Sequence, residues 1–117
     1  MSEYLPVFKP GQAITLAASA TITGGQLVEV TGSGTVGPAG AASTKVVGVA
    51  AFDAVSGDNV TIFAAGVQHG VASGAITAGA VVQAGAAGTI AAGTTAPIGV
   101  ALTTAADTAD VRVLFNR

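Results

Sequence analysis

A hydroxyl nucleophile needs a base to take its proton, and the only histidine available for that is His69, flanked by Gln68 and Gly70 in a segment that reads as strand. Serines and threonines are so common in this chain that any of them could fall near His69 by accident of folding. The residue therefore reads as a solvated strand histidine. Metal binding has little to draw on, because the chain has no cysteine and its six carboxylates are scattered, with none at ligand spacing from the histidine. The absence of cysteine also removes a disulfide framework. The sequence predicts no catalytic residue, no metal site and no cofactor.

Four aspartates, Asp53, Asp58, Asp107 and Asp110, could still meet as carboxylate pairs in space. Asp58 and Asp110 each precede a strand of the same pattern, where short polar side chains serve turns. Gly24-Gly25 is not followed by the Gly-Lys-Ser/Thr of a phosphate loop, and no G-x-G-x-x-G opens a helix. Lys45, after Ser43-Thr44, invites comparison with lipoyl and biotinyl carrier domains. Those display their lysine at a hairpin tip, whereas Lys45 runs directly into Val46-Val47-Gly48-Val49.

The elements that hold these residues are short segments rich in Val, Ile and Thr, parted by glycine turns about every ten residues, the pattern of a sandwich or barrel. Strands are predicted at Ala13–Ala17, Gln26–Thr31, Thr44–Phe52, Asn59–Ala65, Gly66–Ala72, Ala80–Ala84, Ala96–Thr103 and Ala109–Phe115. Gly24-Gly25, Gly32-Ser33-Gly34, Gly57-Asp58-Asn59 and Gly85-Ala86-Ala87-Gly88 supply the backbone freedom that tight hairpins require. Alanine-rich stretches such as Ala84–Ala92 favour helix by composition. Interior glycines each cost about 1 kcal/mol there, and no 3.6-residue apolar stripe runs for three turns, so helix is confined to one turn around Thr104–Thr108.

The chain also repeats itself. Ile22-Thr23-x-Gly25-x-x-Val28 returns as Ile76-Thr77-x-Gly79-x-x-Val82, and Gly34-Thr35-Val36 returns as Gly88-Thr89-Ile90 at the same offset. After a small deletion, Val47-Gly48-Val49-Ala50 matches Ile98-Gly99-Val100-Ala101, and Val60-Thr61-Ile62-Phe63 matches Val111-Arg112-Val113-Leu114. Two copies are too few for a solenoid. The expectation is an all-β fold, a small antiparallel β-barrel, with residues 12–117 as one domain built from copies at about 13–63 and 67–115. Closure would remove the sheet edges that expose a glycine- and alanine-rich β protein to aggregation.

Residues 1–11 stand outside the repeat as an extended N-terminal arm. Pro6 and Pro10 bias Leu5 and Lys9 toward extended backbone and hold Tyr4, Val7 and Phe8 on a strand-like rail. Such an arm can clasp its own barrel, reach a partner protein or remain a disordered tail.

Composition narrows the partners. Charged residues are 9% of the chain, and four lysines and arginines against six acids form no basic stripe, so nucleic acid is not expected. Every apolar run is interrupted well before the roughly 18 residues of a membrane helix, and Met1–Pro6 lacks the pattern of a secretory signal. The chain is expected to work away from membranes, with much of its weakly charged surface covered in an assembly.

Taken in order and spacing, Tyr4-Leu5-Pro6-Val7-Phe8-Lys9-Pro10-Gly11, Ile22-Thr23-Gly24-Gly25-Gln26-Leu27-Val28-Glu29-Val30, Lys45-Val46-Val47-Gly48-Val49-Ala50 and Val111-Arg112-Val113-Leu114-Phe115 resemble the capsid decoration (cement) proteins of tailed bacteriophages, of the actinobacterial-phage type. The resemblance implies a β-tulip-like, non-enzymatic protein made in the host bacterial cytoplasm and added to the outer surface of the virion head. Its implied partners are the major capsid protein and itself, as homotrimers at threefold and quasi-threefold positions that stabilise the mature capsid. It also implies that Tyr4, Leu5, Pro6, Val7, Phe8, Lys9 and Pro10 contact the capsid, by backbone pairing with side-chain anchors. Another self-assembling or cell-surface β module would share this composition but should carry an export signal. A small barrel enzyme would need a convergent polar site.

Overall fold

Alternation of valine and isoleucine with polar residues is the local rule that builds this molecule. In Asp110–Phe115, Val111 and Val113 are fully buried while Arg112 and Leu114 face outward; in Asn59–Phe63, Val60 and Ile62 are buried in the same way. A computed structural model describes residues 7–8 and 13–116. Among them are ten strands: β1 (Ile14–Ala18), β2 (Leu27–Gly32), β3 (Thr35–Pro38), β4 (Val46–Ala50), β5 (Asn59–Phe63), β6 (Gly66–Val71), β7 (Val81–Ala84), β8 (Ile90–Ala92), β9 (Pro97–Ala101) and β10 (Asp110–Phe115). The fold is all-β, as the sequence predicts.

The first five strands close into a barrel in the order β1-β3-β2-β4-β5, and the second five form a sheet in the order β6-β10-β9-β7-β8. The two orders are the same circle. In the first, the parallel seam between β1 and β3 is paired at Ala17–Thr35 and Ala18–Val36; in the second, the equivalent seam is held by one bridge, Ala72–Ile90. The first copy therefore closes on itself and the second curls toward the same closure with that single bridge, rather than the two copies joining in one shared wall. Each copy already contains hairpin partners close in sequence, so it can close locally at small cost in loop entropy.

The repeat reaches into the turns. Ile22 bridges Ala54 and Ile76 bridges Ala105 at matching positions, and both copies shift register on the second strand, at Val28/Glu29 and at Val82/Gln83. Gly48 and Gly99 sit at equivalent places on β4 and β9. A Cβ on Gly48 would strike the Phe63 carbonyl and one on Gly99 the Leu114 carbonyl, so both positions need the bare backbone.

Ala18, Ile22, Val28, Val36, Ala50, Val60 and Ile62 fill the first barrel. The second core contains the equivalent residues, Ala72, Ile76, Val82, Ile90, Ala101, Val111 and Val113, and adds Leu27, Ala39 and Val49 from the first copy. The two units thus share an apolar junction. Backbone bonds fasten it: the Ala42 N–H donates to the Ala84 carbonyl at 2.8 Å and the Gly88 N–H to the Ala39 carbonyl at 2.8 Å. Over the described residues the molecule measures 49 × 31 × 22 Å.

Two strands, β3 and β8, lie where the sequence predicts none. Both are short, and β3 ends in Gly37-Pro38 while β8 is mostly alanine, so strand propensity is weak in each. The helical turn expected around Thr104–Thr108 is instead a bridge and a turn; one 3₁₀ turn occurs at Ala86–Gly88, inside the alanine-rich stretch.

Candidate interaction surfaces

His69 and Asp110, on the paired strands β6 and β10, do meet: Nδ1 lies 2.8 Å from Asp110 Oδ1, and both side chains are exposed. They border a cleft of about 380 Å³ at the junction of the units, also lined by Thr23–Gln26 and Ala87–Thr89. An exposed His–Asp contact on a sheet surface is held in high dielectric, where such pairs contribute little. The cleft walls near it are largely glycine and alanine backbone, and Gln26 Nε2 crosses the junction to donate to the Ala87 carbonyl at 3.0 Å.

The remaining aspartates hold turns. Asp53 Oδ1 accepts from the Gly24 N–H and Asp107 Oδ1 from the Gly74 N–H, each at 2.8 Å, while Asp58 Oδ2 accepts from the Val55 N–H at 3.4 Å. Turn chemistry thus describes Asp58, but Asp110 is engaged across the sheet with His69. Among the described residues, no three of His, Asp and Glu lie together in a way that could hold a metal ion.

Lys45 lies just before β4 with Nζ 3.8 Å from Glu29 Oε2. Glu29 also accepts from the Gly40 N–H at 2.8 Å. That backbone bond, aided by Ser43 and Lys45, holds the Glu29 carboxyl below the usual glutamate range against the opposing effect of partial burial. This is a tether between β2 and the loop before β4, to which the exposed Lys45 side chain adds a surface ion pair.

Apolar surface is what the molecule offers most. Val67, Val71, Val81, Leu102 and Leu114 of the second unit and Phe52, Val55 and Phe63 of the first are all exposed. Of the arm residues that the resemblance assigns to the capsid, Val7 and Phe8 are exposed. Tyr4, Leu5, Pro6, Lys9 and Pro10 lie outside the described residues. Sequence reasoning missed the exposed strand residues because alternation marks two faces without saying which of the outward faces a neighbouring unit covers.

Comparison with known proteins gives a consistent picture. The family model described as phage cement protein matches residues 8–116. Among solved structures, the N base of the head fiber gp8.5 of bacteriophage phi29 superposes with a TM-score of 0.73 at 19% identity, over 89% of this chain and 92% of that one. At that identity the likeness is one of fold. No curated protein sequence matches the chain.

Proposed function

Because this chain belongs to the phage cement protein family, we propose that it decorates phage heads, binding the outer surface of the major capsid protein lattice and stabilising the mature capsid. Family membership makes it a capsid-associated structural protein of the virion; the finer assignment of surface, partner and effect is our reading. The observation that carries it is the family match over residues 8–116. The fold shared with the base of a phage head fiber supports it.

In this reading the protein acts as a homotrimer at threefold and quasi-threefold positions, and its arm residues Tyr4, Leu5, Pro6, Val7, Phe8, Lys9 and Pro10 reach the capsid protein. Modest affinity per contact suffices, because contacts within one trimer reinforce one another. A weakly charged surface lowers the desolvation cost of close packing. The protein performs no catalysis, and His69→Ala leaves decoration unchanged.

Cosedimentation of the purified chain with heads that lack decoration tests this. Saturable binding to expanded heads is expected, and failure to bind them at any protein concentration would overturn the proposal.

A further inference from the structure

The outer face of the second sheet carries an apolar belt set by strand register. Val67 on β6 pairs with Leu114 on β10, Leu114 pairs with Val100 on β9, and Val100 pairs with Val81 on β7. Register partners project from the same face of a sheet. Four strands with neighbours about 4.8 Å apart make the belt about 14 Å across. Val67, Leu114 and Val81 are 54%, 43% and 39% exposed. Along the same two strands, His69 and Arg112 lie one step away and Asp110 two, and they give it a polar border on one side.

The first unit contains the same belt. Phe63 on β5 pairs with Val49 on β4, and Val49 pairs with Leu27 on β2. There two of its three members are covered: Val49 and Leu27 are 5% and 0% exposed, because both enter the core of the second unit, while Phe63 at the far end stays exposed. The chain thus shows what covers this belt when it is covered, namely another β unit of the same repeat. In the second unit the equivalent positions have no such cover among the described residues.

From this we infer that the Val67–Leu114–Val100–Val81 belt is a self-association surface, occupied by a second copy of this chain. A charged ligand has nothing to pair with inside the belt, and an apolar centre with a polar border is the anatomy of a protein contact. The internal junction is the precedent that selects a β unit of this protein over other apolar partners. The inference deepens the homotrimer reading under the proposed function and rests on it, while naming the surface through which copies meet.

Sedimentation of the full chain over a dilution series tests it, alongside Leu114→Glu and the exposed control Val55→Glu, which lies on a turn of the first unit. The wild type is expected to associate, Val55→Glu to match it, and Leu114→Glu to dissociate at concentrations about a hundredfold higher or more, as loss of one buried leucine together with burial of a charge requires. Circular dichroism of dilute protein checks that Leu114→Glu melts where the wild type does; if it does not, Val67→Lys takes its place. A wild type monomeric at every concentration overturns the inference, as does a folded belt variant with unchanged mass. A variant of unchanged mass that no longer binds heads would assign the belt to the capsid, also overturning it. Head binding by the wild type is measured separately, so failure here leaves the decoration reading standing or falling on its own result.

Discussion

Leu27 and Val81 occupy one position in two copies of a repeated unit, each the outward register partner of a valine on the next strand, yet Leu27 is fully buried and Val81 is exposed. The difference comes from the second unit lying against the first. Truncation should read it directly. Leu27→Ala is expected to cost about 2–5 kcal/mol in urea unfolding, as for a buried leucine, whereas Val81→Ala in dilute protein should stay within about 0.5 kcal/mol. Equal losses would mean that the junction between the units is not formed in solution.

The copies also differ where backbone strain is concerned. Gly57 and Thr108 fill equivalent turn positions, both with positive φ, +95° and +69°. A β-branched residue is held there at a cost of about 1–2 kcal/mol. Thr108→Gly should therefore raise stability by about 1 kcal/mol, with part of the gain offset by the greater freedom of glycine in the unfolded chain. Gly57→Ala should lower it by a similar amount. Thermal midpoints of the two variants check both signs.

Acid sensitivity should trace to Glu29. Its folded carboxyl titrates below the unfolded value because the Gly40 N–H, Ser43 and Lys45 favour the charged form. The folded state therefore binds the proton less readily than the unfolded one. The resulting stabilisation is complete above the ordinary glutamate pKa of about 4.3 and is lost as pH falls through the lower folded value. Glu29→Gln should be less stable than the wild type at neutral pH and approach it in acid, as read from urea midpoints along a pH series.

Removal of residues 1–10 should leave a folded protein with a nearly unchanged thermal midpoint, since each of the ten described strands begins after them. The same deletion should weaken or abolish binding to heads. Tyr4, Leu5, Val7 and Phe8 concentrate large apolar side chains in a chain that has few, and burying each contributes roughly 1.5–3 kcal/mol. A truncated protein that binds heads as the full chain does would move the attachment surface to the two β units.

Much of this architecture was legible in the residues. Val60/Ile62 and Val111/Val113 announce half-buried strands by alternation, and the repeated Ile-Thr-x-Gly-x-x-Val segments place equivalent turns before β2 and β7. The location of closure was not legible, because pairing of Ala18 with Val36 and of Ala72 with Ile90 joins strands through a parallel seam that no local pattern encodes. Short Thr35–Pro38 and Ile90–Ala92 are strands by tertiary pairing rather than by propensity. The burial of Leu27 was equally hidden, since in sequence it matches the exposed Val81.

In the function proposed above, the protein strengthens a phage head by binding it. The most direct measurement is the temperature at which undecorated, DNA-filled heads release their DNA, recorded with and without saturating purified protein. A rise in that temperature that follows occupancy is the expected result. An unchanged temperature on heads shown to carry the protein would contradict stabilisation, and absence of the protein from the heads would contradict decoration itself.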